Sequence, residues 1–283
     1  MVRISDITHE LRRLAPLVLS EQWDNVGLLL GDADRDTSAV LTCLTLTPDV
    51  AEEAIRRKVG LVVAHHPILF RPIQRLTTET IDGRMLLMLI EADIGVFSPH
   101  TAYDSAQDGI NQQLAESLRL TNIDVIRPAV LENTTTEQCE PGTEQSVPET
   151  SGEKPVGGGR FGSLPRPTSL GELVEQVKLV LDVERLQFVG DPARNVERLA
   201  VACGSAAEFA DDALRLGCQA LLTGEARFHA CLEARASGFA LILPGHYATE
   251  RPAVERLAGM IGDTFPEVTA WASEAESNPL QWA

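Results

Sequence analysis

The stretch Val40-Leu41-Thr42-Cys43-Leu44-Thr45-Leu46, followed by Pro48 and later by Leu61-Val62-Val63-Ala64-His65-His66-Pro67, decides the fold. Its first run is short, apolar and partly β-branched, the pattern of a buried strand. Pro48 opens a helical stretch through Lys58, because proline is tolerated in a helix's first turn and its fixed φ suits the start. Leu61 to Ala64 reads as a second strand ending at the histidine pair. Strand, helix and strand in that order form a βαβ unit, whose strands pair in parallel across a helical crossover.

The same order recurs downstream. Leu199-Ala200-Val201-Ala202-Cys203 leads through Gly204-Ser205 into a helix from Ala206 to about Leu216, and Ala220-Leu221-Leu222-Thr223 closes the unit. Ala51-Glu52-Glu53-Ala54 matches Ala210-Asp211-Asp212-Ala213 at the equivalent place, and all four acids read as solvated helix faces. Further on, Val96-Phe97-Ser98-Pro99-His100 resembles Leu241-Ile242-Leu243-Pro244-Gly245-His246. Each of these runs ends in a histidine followed four residues later by an acid, His100 by Asp104 and His246 by Glu250. The fold class expected is α/β, with two similar α/β lobes related by internal duplication and facing each other.

Residues 131–155 read LENTTTEQCEPGTEQSVPETSGEKP, almost without large apolar side chains, so they cannot repay the entropy of ordering. They are expected to form a flexible acidic insertion between a first lobe, 1–130, and a second, 156–283, whose part from about 240 onward packs with the first. The glycine cluster Gly157-Gly158-Gly159-Arg160-Phe161-Gly162 resembles half of a phosphate-binding loop. It lacks the Lys-Ser/Thr that should follow, so it reads as a turn leading into a strand.

Over 283 residues, 24 Lys+Arg stand against 41 Asp+Glu, a formal net charge of -17. Such a chain gains no counterion release on a polyanion, which excludes bulk nucleic-acid binding. It has no apolar run long enough to span a membrane and no charged start before an apolar segment, so a cytoplasmic protein is expected. The five cysteines, Cys43, Cys139, Cys203, Cys218 and Cys231, include no CxxC pair and read mostly as buried thiols.

Histidines carry the chemistry. His9 lies on the polar side of an N-terminal amphipathic helix and reads as a surface residue, whereas His65, His66, His100, His229 and His246 fall at or just beyond strand ends. In parallel α/β sheets that edge binds ligands. At a strand end, with Pro67 fixing the next turn, the adjacent imidazoles of His65 and His66 can diverge toward two neighbouring positions, which suits two metals better than one. His246 and Glu250, four apart at a helix start, project from one face as paired ligands do. Mixed imidazole and carboxylate ligation suits Zn, Mn, Fe(II), Co or Ni.

Five ordered motifs, WDNVGLLLG (23–31), AHHP (64–67), SPHTAYD (98–104), TGEARFH (223–229) and GHYATE (245–250), resemble the NGG-one-interacting-factor-three-like family, whose members often carry the name GTP cyclohydrolase I type 2 homologue. The resemblance implies a dinuclear metal site in the cleft between the two lobes and a toroidal homohexamer. Carried over by motif, the ligands of two divalent metal ions would be His65, His66, Asp104, His246 and Glu250. His100 and Thr101 match a His-Thr pair that supports the ligands without joining them. His229, in TGEARFH, is a candidate general acid/base or phosphate-facing group, with a structural role as the alternative. Trp23 reads as packing, and Asp24 and Asn25 as a turn or a pair supporting the ligands.

Two metals about 3.5–4 Å apart would lower the pKa of a bridging water and clamp a substrate oxygen. The expected function is therefore a metal-dependent hydrolase of a nucleotide or other phosphorylated small molecule, with GTP ring opening implied by the family label. The alternative is a non-catalytic metal-binding scaffold or partner-binding protein. Openness separates them, because a catalytic centre keeps positions for water and substrate while a structural one is closed by protein ligands.

Overall fold

The computed structural model describes residues 1–129 and 154–282, so all of the acidic insertion except Lys154 and Pro155 lies outside the described residues. In chain order the first half holds β1 (Val2–Arg3), α1 (Ile4–Leu14), β2 (Gly27–Leu30), β3 (Asp36–Thr37), β4 (Ala39–Cys43), α2 (Pro48–Arg56), β5 (Leu61–Ala64), α3 (Ile81–Glu91), β6 (Gly95–Ser98), α4 (His100–Ser105), α5 (Ile110–Ser117) and β7 (Thr121–Pro128). The second half holds β8 (Gly157–Ser169), α6 (Leu170–Leu181), β9 (Gln187–Val189), β10 (Asn195–Ala202), α7 (Ala210–Arg215), β11 (Ala220–Thr223), α8 (Phe228–Ser237), β12 (Ala240–Leu243), α9 (His246–Thr264) and β13 (Thr269–Ala272).

Two large sheets result. The first runs β13-β4-β5-β6-β2, with only β2 antiparallel to its neighbour; the second runs β7-β8-β10-β11-β12-β9, parallel across β10, β11 and β12. Alternate residues of the first sheet serve opposite cores. Val40, Leu61, Val63 and Phe97 pack with Ile4, Ile7 and Leu11 of α1 and Leu257 and Ile261 of α9. Leu41, Cys43, Val62, Ala64 and Val96 pack with Val50 and Ala54 of α2 and Met85 and Leu89 of α3. A sheet covered on both faces needs apolar residues at nearly every strand position, which is why 61–64 and 220–222 read as continuous apolar runs, Ala220 and Leu222 serving one core and Leu221 another.

Local chemistry sets the helix ends. Thr47 caps α2, its hydroxyl accepting from the Val50 amide, with Pro48 in the first turn; the helix stops at Arg56 because Lys58 already turns left-handed at φ 55°. Ser169 and Glu172 form a capping box on α6. The downstream helix expected from Ala206 begins as a 3-10 turn at Ala207–Phe209 and becomes α-helical at Ala210. The glycine cluster is strand from Gly157 onward, as the first residues of β8.

Glu53 is a correction to the reading of solvated helix faces. Its side chain is 1% exposed and accepts from the Trp271 indole at 3.0 Å, the Ser273 hydroxyl at 2.6 Å and the Glu274 and Ala275 amides at 3.1 and 3.0 Å. The cause is nonlocal: the segment after β13 returns over α2, and no helical pattern within α2 announces a cover from the far end of the chain.

Arg160 joins the halves. Fully buried, it donates to the carbonyls of Gly157 at 2.7 Å and Gly159 at 2.8 Å on β8, to Ala106 O at 2.7 Å just beyond α4, and to Gln112 Oε1 at 3.0 Å on α5. Asn111 makes a second crossing, accepting from the Cys203 amide at 2.8 Å and donating to Asp104 O at 3.1 Å. No helix among the described residues is long and apolar enough to cross a membrane.

Candidate metal centre

The carboxyl ends of the parallel strands deliver the histidines. β5 runs straight into His65 and His66, while β6 and β12 lead through Pro99 and through Pro244-Gly245 to His100 and His246 at the starts of α4 and α9. The imidazoles gather: ring centroids lie 5.1 Å apart for His65 and His66, 5.2 Å for His65 and His100, and 5.3 Å for His66 and His246. One ring nitrogen or carboxylate oxygen from each of His66, His246 and Glu250 lies within 4.8 Å of the others, as does one from each of His65, His66 and His100.

The two acids take different partners. Glu250 Oε2 sits 3.1 Å from His66 Nε2 and 3.0 Å from His246 Nε2, so the pair four apart on α9 does close on one face. On α4 the matching pair does not close. His100 turns its Nδ1 to Asp24 at 2.7 Å, and Asp104 Oδ1 instead lies 3.6 Å from His65 Nε2 and 3.4 Å from Cys203 Sγ.

Electrostatics follow from this crowding. Burial drives His65 well below the ordinary imidazole range, so its ring is neutral. Asp104 is pushed up to about 7, by burial first and then by the charge of Glu250. Burial also pushes Glu250 upward, but its bonds to His246 and His66 outweigh this and hold it below the usual carboxylate range. The hydrogen bond to Glu250 is the largest influence on His246, which with Glu225's help is pushed up to about 9.

A cation fits this donor set. His65 is 2% exposed, and among the described residues neither of its ring nitrogens has a hydrogen-bond partner. A neutral imidazole buried with an unused lone pair costs about 1–3 kcal/mol, and coordination to a metal is the usual way to use it. The raised Asp104 points the same way, since a nearby divalent cation favours the ionised acid.

Outer partners orient the rings. Thr45 Oγ1 is 2.8 Å from His66 Nδ1, Glu225 Oε1 is 3.2 Å from His246 Nδ1, and Asp24 holds His100. Asp24 also accepts from the Thr101 amide at 3.1 Å and from its hydroxyl, and burial against these bonds leaves its carboxyl at about 2. Sequence reasoning missed Thr45, Cys203 and Gly204. All three lie just past β4 or β10, and the strand-end rule that found His65 and His66 could have flagged them.

Gly204 is required by space. A Cβ there would lie 2.3 Å from Glu250 Oε1 and 3.2 Å from His246 Nε2, at a φ of +66° that side chains rarely adopt.

The remaining residues singled out from the sequence differ in placement. His229 is exposed in the first turn of α8, with the Phe228 ring 6.0 Å away and, among the described residues, no hydrogen bond to the cluster. His9 is exposed on α1. Cys43, Cys203 and Cys218 are buried thiols, Cys231 is half-buried, and Cys139 lies outside the described residues. Trp23, read as packing, is 60% exposed, because its loop places the ring at the rim of the cluster and not inside a core.

Known proteins resemble this chain in sequence and fold. A profile of the family described as Duf34/NIF3 (NGG1p interacting factor 3) matches residues 2–279. A Clostridium acetobutylicum protein named GTP cyclohydrolase 1 type 2 homolog is 29% identical over 253 residues, covering 89% of this chain and 87% of its own length. A Schizosaccharomyces pombe protein named Protein NIF3 homolog is 34% identical, covering 98% of both chains. The crystal structure of a Bacillus cereus protein related to NIF3 superposes with a TM-score of 0.84 at 22% identity, covering 100% of this chain and 99% of that one. With the profile spanning nearly every residue, the chain belongs to the Duf34/NIF3 family.

Proposed function

We propose that this chain is a metal-dependent hydrolase of a nucleotide or other phosphorylated small molecule, working through two divalent cations held by His65, His66, Asp104, His246 and Glu250. The observation that carries the reading is the openness of the cluster. His65 and Glu250 are buried, yet the side chains of His66 and His246 remain 27% and 34% exposed, which leaves solvent and a substrate a way in. A structural or storage centre would instead call for closure by protein ligands.

Bound there, the cations would supply Lewis acidity to a substrate oxygen and acidify a water for attack. The chain's own residues set the stage. Thr45 and Glu225 fix the rings of His66 and His246 so that both Nε2 atoms face Glu250, and Asn111 fixes the backbone of Asp104 against the second sheet. His229 is the candidate general acid or base. The name GTP cyclohydrolase 1 type 2 homolog among the relatives supports a nucleotide as substrate.

The surrounding architecture is proposed to be two duplicated lobes, 1–130 and 156–283, with α9 and β13 carried back onto the first sheet, assembled as a homohexamer. Matching strand orders support the duplication: β4-β5-β6 followed by antiparallel β2 repeats as β10-β11-β12 followed by antiparallel β9.

Metal-reconstituted protein should turn over GTP or a simple phosphoester and lose activity on chelation, with His229→Asn lowering kcat at unchanged metal content. A nucleotide and phosphoester panel that stays silent with Mn, Fe(II), Zn and Co would remove the hydrolase reading. Gly204→Ala tests the geometry separately. Its methyl collides with Glu250, so bound metal should fall by half or more. Gly259→Ala, in α9 where an added Cβ would meet no other part of the fold within 4 Å among the described residues, should keep its metal and gain about 0.5–1 kcal/mol in urea unfolding. Equal metal content in the two variants would contradict the placement of Glu250.

A further inference from the structure

Two aromatic side chains stand in solvent one ring away from the imidazoles. Trp23 is 60% exposed and Phe70 47%. Their centroids are 5.9 Å apart in an edge-to-face arrangement, and the Trp23 ring lies 6.2 Å from that of His100. His100 is itself within 5.7 Å of both His65 and His66, ring to ring. An edge-to-face pair leaves the faces of its edge-on ring open for a further partner.

The pair is held in place by the same contacts that support the site. Asp24, next to Trp23, is fixed by His100 and Thr101. Asn25 Nδ2 donates to Leu69 O at 3.0 Å, tying the Trp23 loop to the Phe70 loop. Leu69 adopts a φ of 56°, a left-handed conformation unfavourable for a bulky side chain, so the turn presenting Phe70 is kept against its own preference. Rings fixed in water beside a cation site, at the cost of a strained backbone, are a feature that packing does not explain.

We propose that Trp23 and Phe70 form a ring-binding subsite of this centre, taking a planar fused heteroaromatic ring such as a purine by stacking, while the reacting part of the same molecule faces the histidines. This rests on reading the cluster as the centre of a small-molecule hydrolase. Stacking suits the position because every heteroaromatic ring has a π-face, and it needs no hydrogen-bonding groups from these loops. A protein partner would instead have to cover Ile73 and Ile81 as well, which are 51% and 68% exposed, but the aromatic pair alone is tied to Asp24 and His100.

The test measures binding by calorimetry on the metal-loaded full chain, comparing the unaltered protein, Trp23→Ala and Phe70→Leu, with guanosine, GTP and inorganic triphosphate as probes. Guanosine and GTP affinity should fall about tenfold or more in Trp23→Ala, within the range seen when a stacking aromatic is removed. Triphosphate affinity, metal content and molar mass in light scattering should stay unchanged. Equal GTP affinity in all three proteins, no guanosine binding by the unaltered protein, or a changed mass in either variant, which would assign the rings to an interface, overturns the proposal. Ring-selective binding without turnover would uphold the subsite and remove the hydrolase reading. Turnover with unaltered affinity in Trp23→Ala would do the reverse.

Discussion

Glu250→Ala is expected to leave the dialysed protein with half or less of the metal bound by the unaltered chain. One carboxylate oxygen reaches both His66 and His246, at 3.1 and 3.0 Å, and the side chain is only 5% exposed, so water cannot replace it in the same geometry. Loss of an outer partner of a ligand typically weakens metal binding by about 10–100-fold. Removal of a direct ligand should exceed that, so Glu225→Ala, which releases only the far nitrogen of His246, provides the graded comparison. Elemental analysis of the three proteins after identical dialysis reads the effect. Unchanged stoichiometry in Glu250→Ala would remove the carboxylate from the ligand set.

Arg160→Met should destabilise the fold by about 3 kcal/mol or more, since an uncompensated buried polar network is among the costliest single changes. Among the described residues the guanidinium has no carboxylate within ion-pair distance. It is held by the carbonyls of Gly157, Gly159 and Ala106, by Gln112 and, at 3.3 Å, by Pro155 O, and burial lowers its pKa to about 10. Methionine fills similar space and donates nothing, so these acceptors lose their partner at once. Ala106 lies two residues beyond Asp104, and the loss should therefore reach the centre as well. Urea unfolding measures the change; a loss below about 1 kcal/mol would show that water or a shifted backbone satisfies the carbonyls.

Much of the positioning was legible because it is local. The βαβ units around 40–64 and 199–223 show in apolar runs and in Pro48, and the histidines betray themselves by falling at strand ends. Other features depend on chain that returns from far away. β13 pairs with β4 more than 200 residues upstream, and the segment after it buries Glu53, whose own neighbours along α2 look solvated. Likewise the repeat His100-x-x-x-Asp104 has the spacing of His246 and Glu250 without their pairing. Asp24, brought in by the loop before β2, captures His100 instead. The spacing along a helix sets which residues share a face, and the partner across the cleft decides which of them meet.

Five side chains, His65, His66, Asp104, His246 and Glu250, are proposed to hold two cations. Anomalous diffraction from crystals of the protein reconstituted with Zn or Mn tests this proposal most directly. Two anomalous peaks per chain are expected within coordinating distance of the cluster formed by His65, His66, Asp104, His246 and Glu250. A single peak bound elsewhere, or no peak at the cluster in metal-saturated crystals, would contradict it.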